Sequence, residues 1–108
     1  MPREISERDW KLLRELKPIA LERFCDRVLA ELAGVAGARD KTSHERYLTV
    51  FDLIRRRDRE LSDTFDGLRR STALLQFAAM RSRGLVSDEE FARFSVETRD
   101  VVHALLGG

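Results

Sequence analysis

The fold of this chain is decided by the stretch SHERYLTVFDLIRRRDRELSDTFDGLRRSTALLQFAAMRSR at residues 43–83. Counted from Tyr47 at alternating steps of four and three, mostly apolar side chains recur along it, which is the heptad spacing of a helix that packs along one seam. The seam positions that form a candidate interface are Tyr47, Phe51, Ile54, Asp58, Leu61, Phe65, Leu68 and Leu75. The pattern predicts one continuous helix over about 43–83, roughly 60 Å long at 1.5 Å per residue.

A dipeptide inside this stretch supports a different structure. Asp66-Gly67 is a common turn sequence, and it is the one breaker in the region. A glycine inside a helix costs roughly 1 kcal/mol, which a long packed helix can absorb, and the heptad spacing continues through Gly67 without a change of phase. We therefore favour the continuous helix, and the alternative is a helical hairpin that turns at Asp66-Gly67.

An earlier helix is predicted over about 7–33. Ser6 can accept a hydrogen bond from a backbone amide at the helix start, and the acidic residues beside it favour the positive end of the helix. Pro18 lacks an N–H and crowds the preceding turn, so we expect a kink or a restart there. Beyond the proline the apolar face continues through Leu21, Cys25, Val28 and Leu32. Gly34 is expected to end the helix.

Two capping boxes mark the starts of later helices. In such a box, the side chains of the first and fourth residues bond each other's backbone amides. Thr42 and Glu45 form one box at the start of the long helix, and Ser87 and Glu90 form a second one.

The second box predicts a short helix over about 88–94, after Gly84 ends the long helix. Ser95 is expected to cap a last helix over about 96–106. No stretch shows the sustained period-two alternation of a strand. We therefore expect a single all-α domain over residues 1–108, built as a helical bundle around one long central helix.

Composition and charge limit the environment and the partners of the chain. Charged residues make up 36% of it, yet the formal net charge is +1, so the overall field gives no reason to expect a polyanion as partner. The N-terminus is charged from Arg3 onward and does not resemble a signal peptide. The longest uncharged run, Ser71–Met80, is too short for a membrane span. We expect a cytoplasmic protein that does not contact a membrane.

Residues that could carry catalytic chemistry are few. Cys25 with His44 or His103 could supply a nucleophile and a base, but Cys25 falls on the apolar face of the first helix, where a thiol is an ordinary core group. Two histidines and one cysteine give no zinc-ligand spacing, and no phosphate-binding or dinucleotide-binding glycine motif occurs. We predict no catalytic residue, no metal and no cofactor, and a small helical enzyme is the least favoured hypothesis.

Arginines form a second candidate surface. A basic face on the central helix would contain Arg55, Arg56, Arg59, Arg69 and Arg70. A nucleic-acid footprint should be mostly one sign, whereas Asp52, Glu60 and Asp63 are interspersed here. Acidic residues three or four positions away can pair with the arginines. Nucleic-acid binding through residues 55–70 is therefore the alternative function, and we expect it to be absent.

Asp58 interrupts the apolar seam between Ile54 and Leu61. A lone carboxylate on an apolar face is costly unless it is paired, and a polar residue at a seam position commonly fixes register and partner number. Either Asp58 is paired, with Arg55 of the same helix or with an arginine from another helix or chain, or the helix is exposed to water there. The sequence leaves both alternatives open.

A continuous helix of this length would project from a globule of 108 residues. Its exposed seam would then need a partner, and the simplest one is a second copy in a parallel or antiparallel homodimer. We therefore expect a helical protein-interaction or regulatory module that acts as a homo-oligomer through a coiled-coil-like interface.

Overall fold

A computed structural model of the chain describes residues 4–107, which contain five α-helices. The helices are α1 (Glu7–Ala36), α2 (Ser43–Phe65), α3 (Ala73–Ser82), α4 (Asp88–Ala92) and α5 (Val96–Leu105). No strand occurs between residues 4 and 107, and the predicted all-α helical bundle is confirmed. This part of the chain is elongated, with principal extents of 53 × 25 × 24 Å.

α1 begins as predicted and then runs through its proline. The Ser6 hydroxyl accepts a hydrogen bond from the Asp9 amide at 3.2 Å. The helix does not restart at Pro18, which lies inside it. A proline leaves the carbonyl four residues earlier without its usual donor. Because Pro18 and Arg14 are both exposed, water can reach this carbonyl, and the helix continues.

The end of α1 lies later than predicted. Gly34 has helical backbone, and the helix continues to Ala36. The Gly37 amide then donates to the Ala33 carbonyl at 3.0 Å and closes the last turn. A glycine therefore ends α1, as expected, but it is the second glycine in the sequence rather than the first.

The predicted continuous helix over 43–83 is wrong, and the chain turns at the alternative position, Asp66-Gly67. α2 ends at Phe65, and Asp66 has extended backbone with φ −72° and ψ 145°. Gly67 follows in a left-handed conformation with φ +64°, which favours glycine and cannot continue a right-handed helix. The heptad spacing predicted a continuous helix wrongly because apolar positions can keep their phase across a loop. Periodicity does not report whether a seam is continuous in space.

Side chains of α3 and the residue after it satisfy polar groups at the end of α2. The Gln76 amide nitrogen donates to the carbonyls of Thr64 at 3.2 Å and Asp66 at 3.0 Å. The Arg83 guanidinium donates to the Thr64 hydroxyl at 2.9 Å, and this hydroxyl donates to the Glu60 carbonyl at 2.7 Å. Thr64 and Gln76 are buried, so these bonds replace water and hold α3 folded back on the end of α2.

α1 and α2 pack against each other as an antiparallel helical hairpin. The Arg57 guanidinium donates to the Glu31 carboxylate at 2.9 Å along the hairpin, and the rings of Phe24 and Phe65 meet edge to face at its base, 6.1 Å apart. We call residues 21–65 the hairpin. The remaining described residues, 4–20 and 66–107, form the body.

The body contains most of the apolar core. The Phe77 ring lies 4.2 Å from that of Phe94 and 5.8 Å from that of Phe91, measured between ring centroids. Side chains with no exposed surface here include Leu13, Ala20, Phe77, Met80, Leu85 and Val102. A fully buried large apolar side chain contributes roughly 1.5–3 kcal/mol, so most of the apolar stabilisation belongs to the body rather than to the hairpin.

The two C-terminal helices begin where the capping signals predicted. The Ser87 hydroxyl accepts from the Glu90 amide at 3.1 Å, and the Ser87 amide donates to the Glu90 carboxylate at 2.9 Å. α4 ends at Ala92, two residues earlier than expected. α5 follows after Ser95, which caps it.

Candidate functional site

The hairpin has almost no core of its own. Within α2, Leu53 is buried, and the other two buried residues, Thr64 and Phe65, lie at the base of the hairpin. Within α1, no residue after Phe24 is buried. Two helices that pack on each other cover one stripe each, so the other apolar side chains of the hairpin remain in contact with water.

One exposed row on α2 is mainly apolar, and we call it the α2 stripe. It consists of Tyr47, Phe51, Ile54 and Asp58, which share one face of the helix because they are three or four positions apart. Of these, Tyr47, Phe51 and Ile54 are 66%, 52% and 46% exposed, in that order. Leu48 of α2 and Leu29 of α1 flank it and are 49% and 62% exposed. Half of the exposed large apolar side chains in residues 4–107 thus lie on the hairpin.

A groove between α1 and α2 lies beside the α2 stripe. Its walls include Cys25, Val28 and Leu29 from α1, and Ile54, Asp58 and Leu61 from α2. The groove encloses about 330 Å³. A concave, mostly apolar surface with few polar groups is suited to an apolar or aromatic group.

Asp58 and Tyr47 are the polar members of the α2 stripe, and both are exposed. Within residues 4–107, neither side chain makes a hydrogen bond or salt bridge to another residue. Arg55, the expected partner of Asp58 within the helix, instead lies over the Phe51 ring, 5.7 Å from its centroid. Arg57 is engaged by a carboxylate from each helix at 2.9 Å. In a single chain, Asp58 is therefore exposed to water.

The rest of the predicted seam does not continue this stripe. Phe65 is 2% exposed and packs on Phe24 of the same chain, which corrects its assignment to an interface. Leu61 is half-buried beside the groove, and Leu68 is half-buried in the loop after α2. Leu75 is exposed, but it lies on α3 in the body. Only the first four seam residues share one exposed surface.

The predicted basic face is divided between two elements. Its candidates were Arg55, Arg56, Arg59, Arg69 and Arg70. The first three lie on α2 and the last two in the loop after it, because α2 ends before them. Arg56 pairs with Asp52 at 3.3 Å, and Arg70 pairs with Glu7 at 3.1 Å. Acidic partners therefore interrupt this surface.

The cysteine and the two histidines lie in separate places. Cys25 is half-buried in the groove wall. His44 is exposed in the first turn of α2, and His103 is exposed on α5 with its ring 5.4 Å from the Phe91 ring. Among the described residues, no group of three or more His, Cys, Asp or Glu side chains has an arrangement that could hold a metal ion.

Asp9 is a buried carboxylate whose role could not be found from the sequence. It accepts hydrogen bonds at 2.6 Å from the hydroxyls of Ser95 and Thr98, and one from the Ser95 amide at 3.2 Å. Burial raises the pKa of Asp9, but these hydrogen bonds outweigh it and hold the pKa below its ordinary value. The carboxylate faces the positive start of α5 and fastens α1 to it. Its fully satisfied bonding indicates a structural role.

The candidate site of this chain is therefore the α2 stripe together with the groove beside it. Between residues 4 and 107, no helix is both long enough and apolar enough to cross a membrane. The chain matches no protein-family model, no curated protein and no solved structure.

Proposed function

We propose that the protein is a helical interaction module that acts as a homodimer, with the hairpin as its interface. The observation that carries this proposal is the exposed α2 stripe on a hairpin that buries little beyond Leu53. A contiguous apolar surface of this kind is typical of interaction sites. A second hairpin packed on the first would complete the core of a four-helix bundle, in which each helix buries a wider apolar face.

The exposed apolar area is of the size that a dimer needs. We take about 200 Å² as the accessible area of a large side chain. The exposed fractions of the five large apolar side chains on the hairpin then correspond to roughly 550 Å² per copy. These side chains are Leu29, Tyr47, Leu48, Phe51 and Ile54. Two copies would together remove about 1,100 Å² from water, which reaches the roughly 1,000 Å² expected of a specific interface. Because a two-fold dimer uses the same patch on both subunits, one stripe per chain is sufficient.

Molar mass in solution tests this function. Light scattering after size exclusion should give twice the chain mass at micromolar concentrations. Phe51→Ala should shift the protein to monomer, because removing a phenylalanine from a packed interface costs about 3–5 kcal/mol. Phe51 is half-exposed in the single chain, so the helical circular dichroism of the monomer should remain.

Leu75→Ala is the matched control, because Leu75 is 63% exposed but lies on α3, away from the hairpin. This variant should keep the mass of the wild type. A wild-type chain that is monomeric throughout the micromolar range would refute the homodimer. Equal effects of the two substitutions would place the interface elsewhere than on the hairpin.

A further inference from the structure

The spacing of the α2 stripe is the same in both chain directions. From Tyr47 to Phe51, Ile54 and Asp58 the steps are four, three and four residues. If a second α2 runs antiparallel to the first, Phe51 lies opposite Ile54 of the second copy. In the same register, Tyr47 lies opposite Asp58 of the second copy. A parallel second copy would instead place each residue opposite itself.

Electrostatics distinguish these two registers. In the parallel register, the two Asp58 carboxylates would face each other across an apolar seam, where like charges repel strongly because little water screens them. In the antiparallel register, each carboxylate faces a Tyr47 hydroxyl, which can donate a hydrogen bond. The antiparallel register therefore gives both polar members of the stripe a partner, which they lack among the residues of a single described chain.

The groove has room for the incoming tyrosine. It encloses about 330 Å³, and Asp58 is one of its polar wall residues. Cys25, Val28 and Leu29 supply an apolar wall from α1. A tyrosine has an apolar ring and a polar tip, so its ring can contact these side chains while its hydroxyl reaches the carboxylate.

We propose that two copies of the chain pair antiparallel through α2, with Tyr47 of each copy in the groove of the other and its hydroxyl donating to Asp58. This inference rests on the proposed function, since it gives the register of the same interface. It also assigns a role to the carboxylate that interrupts the apolar stripe: Asp58 selects the antiparallel arrangement over the parallel one.

Cross-linking measures the register directly. In a Cys25→Ser background, Tyr47→Cys and Asp58→Cys are prepared as separate proteins and treated with a short bismaleimide, alone and as an equal mixture. The mixture should form cross-linked dimers. Each protein alone should not, because equivalent positions 47 lie about 16 Å apart along an antiparallel bundle at 1.5 Å per residue. Efficient self-cross-linking of either protein would establish a parallel register and overturn the inference.

A double-mutant cycle tests the hydrogen bond itself. Tyr47→Phe removes one hydroxyl from each chain, and therefore two hydrogen bonds from the dimer. It should raise the dimer dissociation constant by about a hundredfold or more, since each bond to a charged acceptor is worth about tenfold or more. In an Asp58→Ala background, the same substitution should have little effect, because its acceptor is already absent. An Asp63→Ala background is the control and should retain the full effect, since Asp63 lies on α2 outside the stripe.

The outcomes separate this inference from the proposed function. A tyrosine effect of equal size in all three backgrounds overturns the pairing while the homodimer stands. A dimer in which no pair of thiols at positions 47 and 58 cross-links overturns the register while the homodimer stands. A wild-type chain that stays monomeric refutes the homodimer and the register together.

Discussion

Gly67 and Gly34 are a matched pair for measuring what the turn between α2 and α3 requires of the backbone. A methyl group added at either position would meet no heavy atom within 4 Å, so packing does not distinguish them. Their backbones differ: Gly67 has φ +64°, whereas Gly34 lies in the last turns of α1 with helical backbone. Alanine substitution at the two sites should therefore have opposite effects on stability.

The expected magnitudes follow from the conformation of each glycine. A left-handed backbone costs an L-residue about 1–2 kcal/mol, and alanine regains about 0.4–1 kcal/mol by restricting the unfolded chain. Gly67→Ala should thus lower the free energy of unfolding by about 0.5–1 kcal/mol. Gly34→Ala should raise it by about 0.5–1 kcal/mol, because alanine is the better helix former.

Thermal unfolding at one fixed protein concentration measures both changes, and a fixed concentration is needed because association shifts the midpoint. A change of 1 kcal/mol moves the midpoint of a chain of this size by about 4 °C. Gly67→Asn should destabilise less than Gly67→Ala, since asparagine tolerates the left-handed region better. If Gly67→Ala instead stabilises the protein, α2 and α3 are one helix, and the turn at Asp66-Gly67 is refuted.

Two further substitutions test contacts around α4. Ser87→Ala removes the acceptor of the Glu90 amide and should lower the free energy of unfolding by about 1 kcal/mol; an unchanged urea midpoint would contradict this role. Arg23, which holds both carboxylate oxygens of Glu90, lowers the Glu90 pKa to about 2. The bonds between Arg23 and Glu90 therefore stabilise the fold fully above pH 4.5, the ordinary pKa of a glutamate. This stabilisation is lost as the pH falls toward 2. Glu90→Gln keeps a side chain that can complete the capping box. It should lower the free energy of unfolding by about 1–2 kcal/mol at neutral pH, and the loss is modest because Arg23 is partly exposed. The free energy of unfolding of this variant should also fall less steeply as the pH is lowered. A pH dependence equal to that of the wild type would contradict the ion pair.

Helix starts could be predicted from the sequence because their chemistry is local. Ser6, Thr42, Ser87 and Ser95 each lie within three residues of the amide that they cap, and all four accept the expected hydrogen bond. The hydroxyl and the amide are brought together by the helix itself. No knowledge of the rest of the fold is needed to recognise such a site.

The path between helices could not be predicted in the same way. Gln76 holds the end of α2 from ten or more positions away, and Asp9 bonds residues of α5 more than 80 positions away. Contacts of this kind leave no periodic signal. The heptad count therefore extended the seam past Gly67, although the residue types at Asp66-Gly67 indicated the turn.

The candidate surface was predicted in part. Tyr47, Phe51, Ile54 and Asp58 were grouped correctly on one face, because a heptad register is reliable within a single helix. Leu29 was missed, since its exposure depends on how α1 packs against α2. Periodicity reports which residues share a face, and only the packing of helices decides which face stays exposed.

α1 belongs to both parts of the molecule: its first half is packed in the body and its second half in the hairpin. Segments with few buried contacts open locally at a lower free energy than global unfolding requires. Amide hydrogen exchange along α1 should therefore be graded, slow near Leu13 and Ala20 and faster toward Ala36. Association through the hairpin would slow exchange only in the second half. The same helix then supplies its own internal reference, and the residue at which protection begins to depend on protein concentration marks the edge of the partner's footprint.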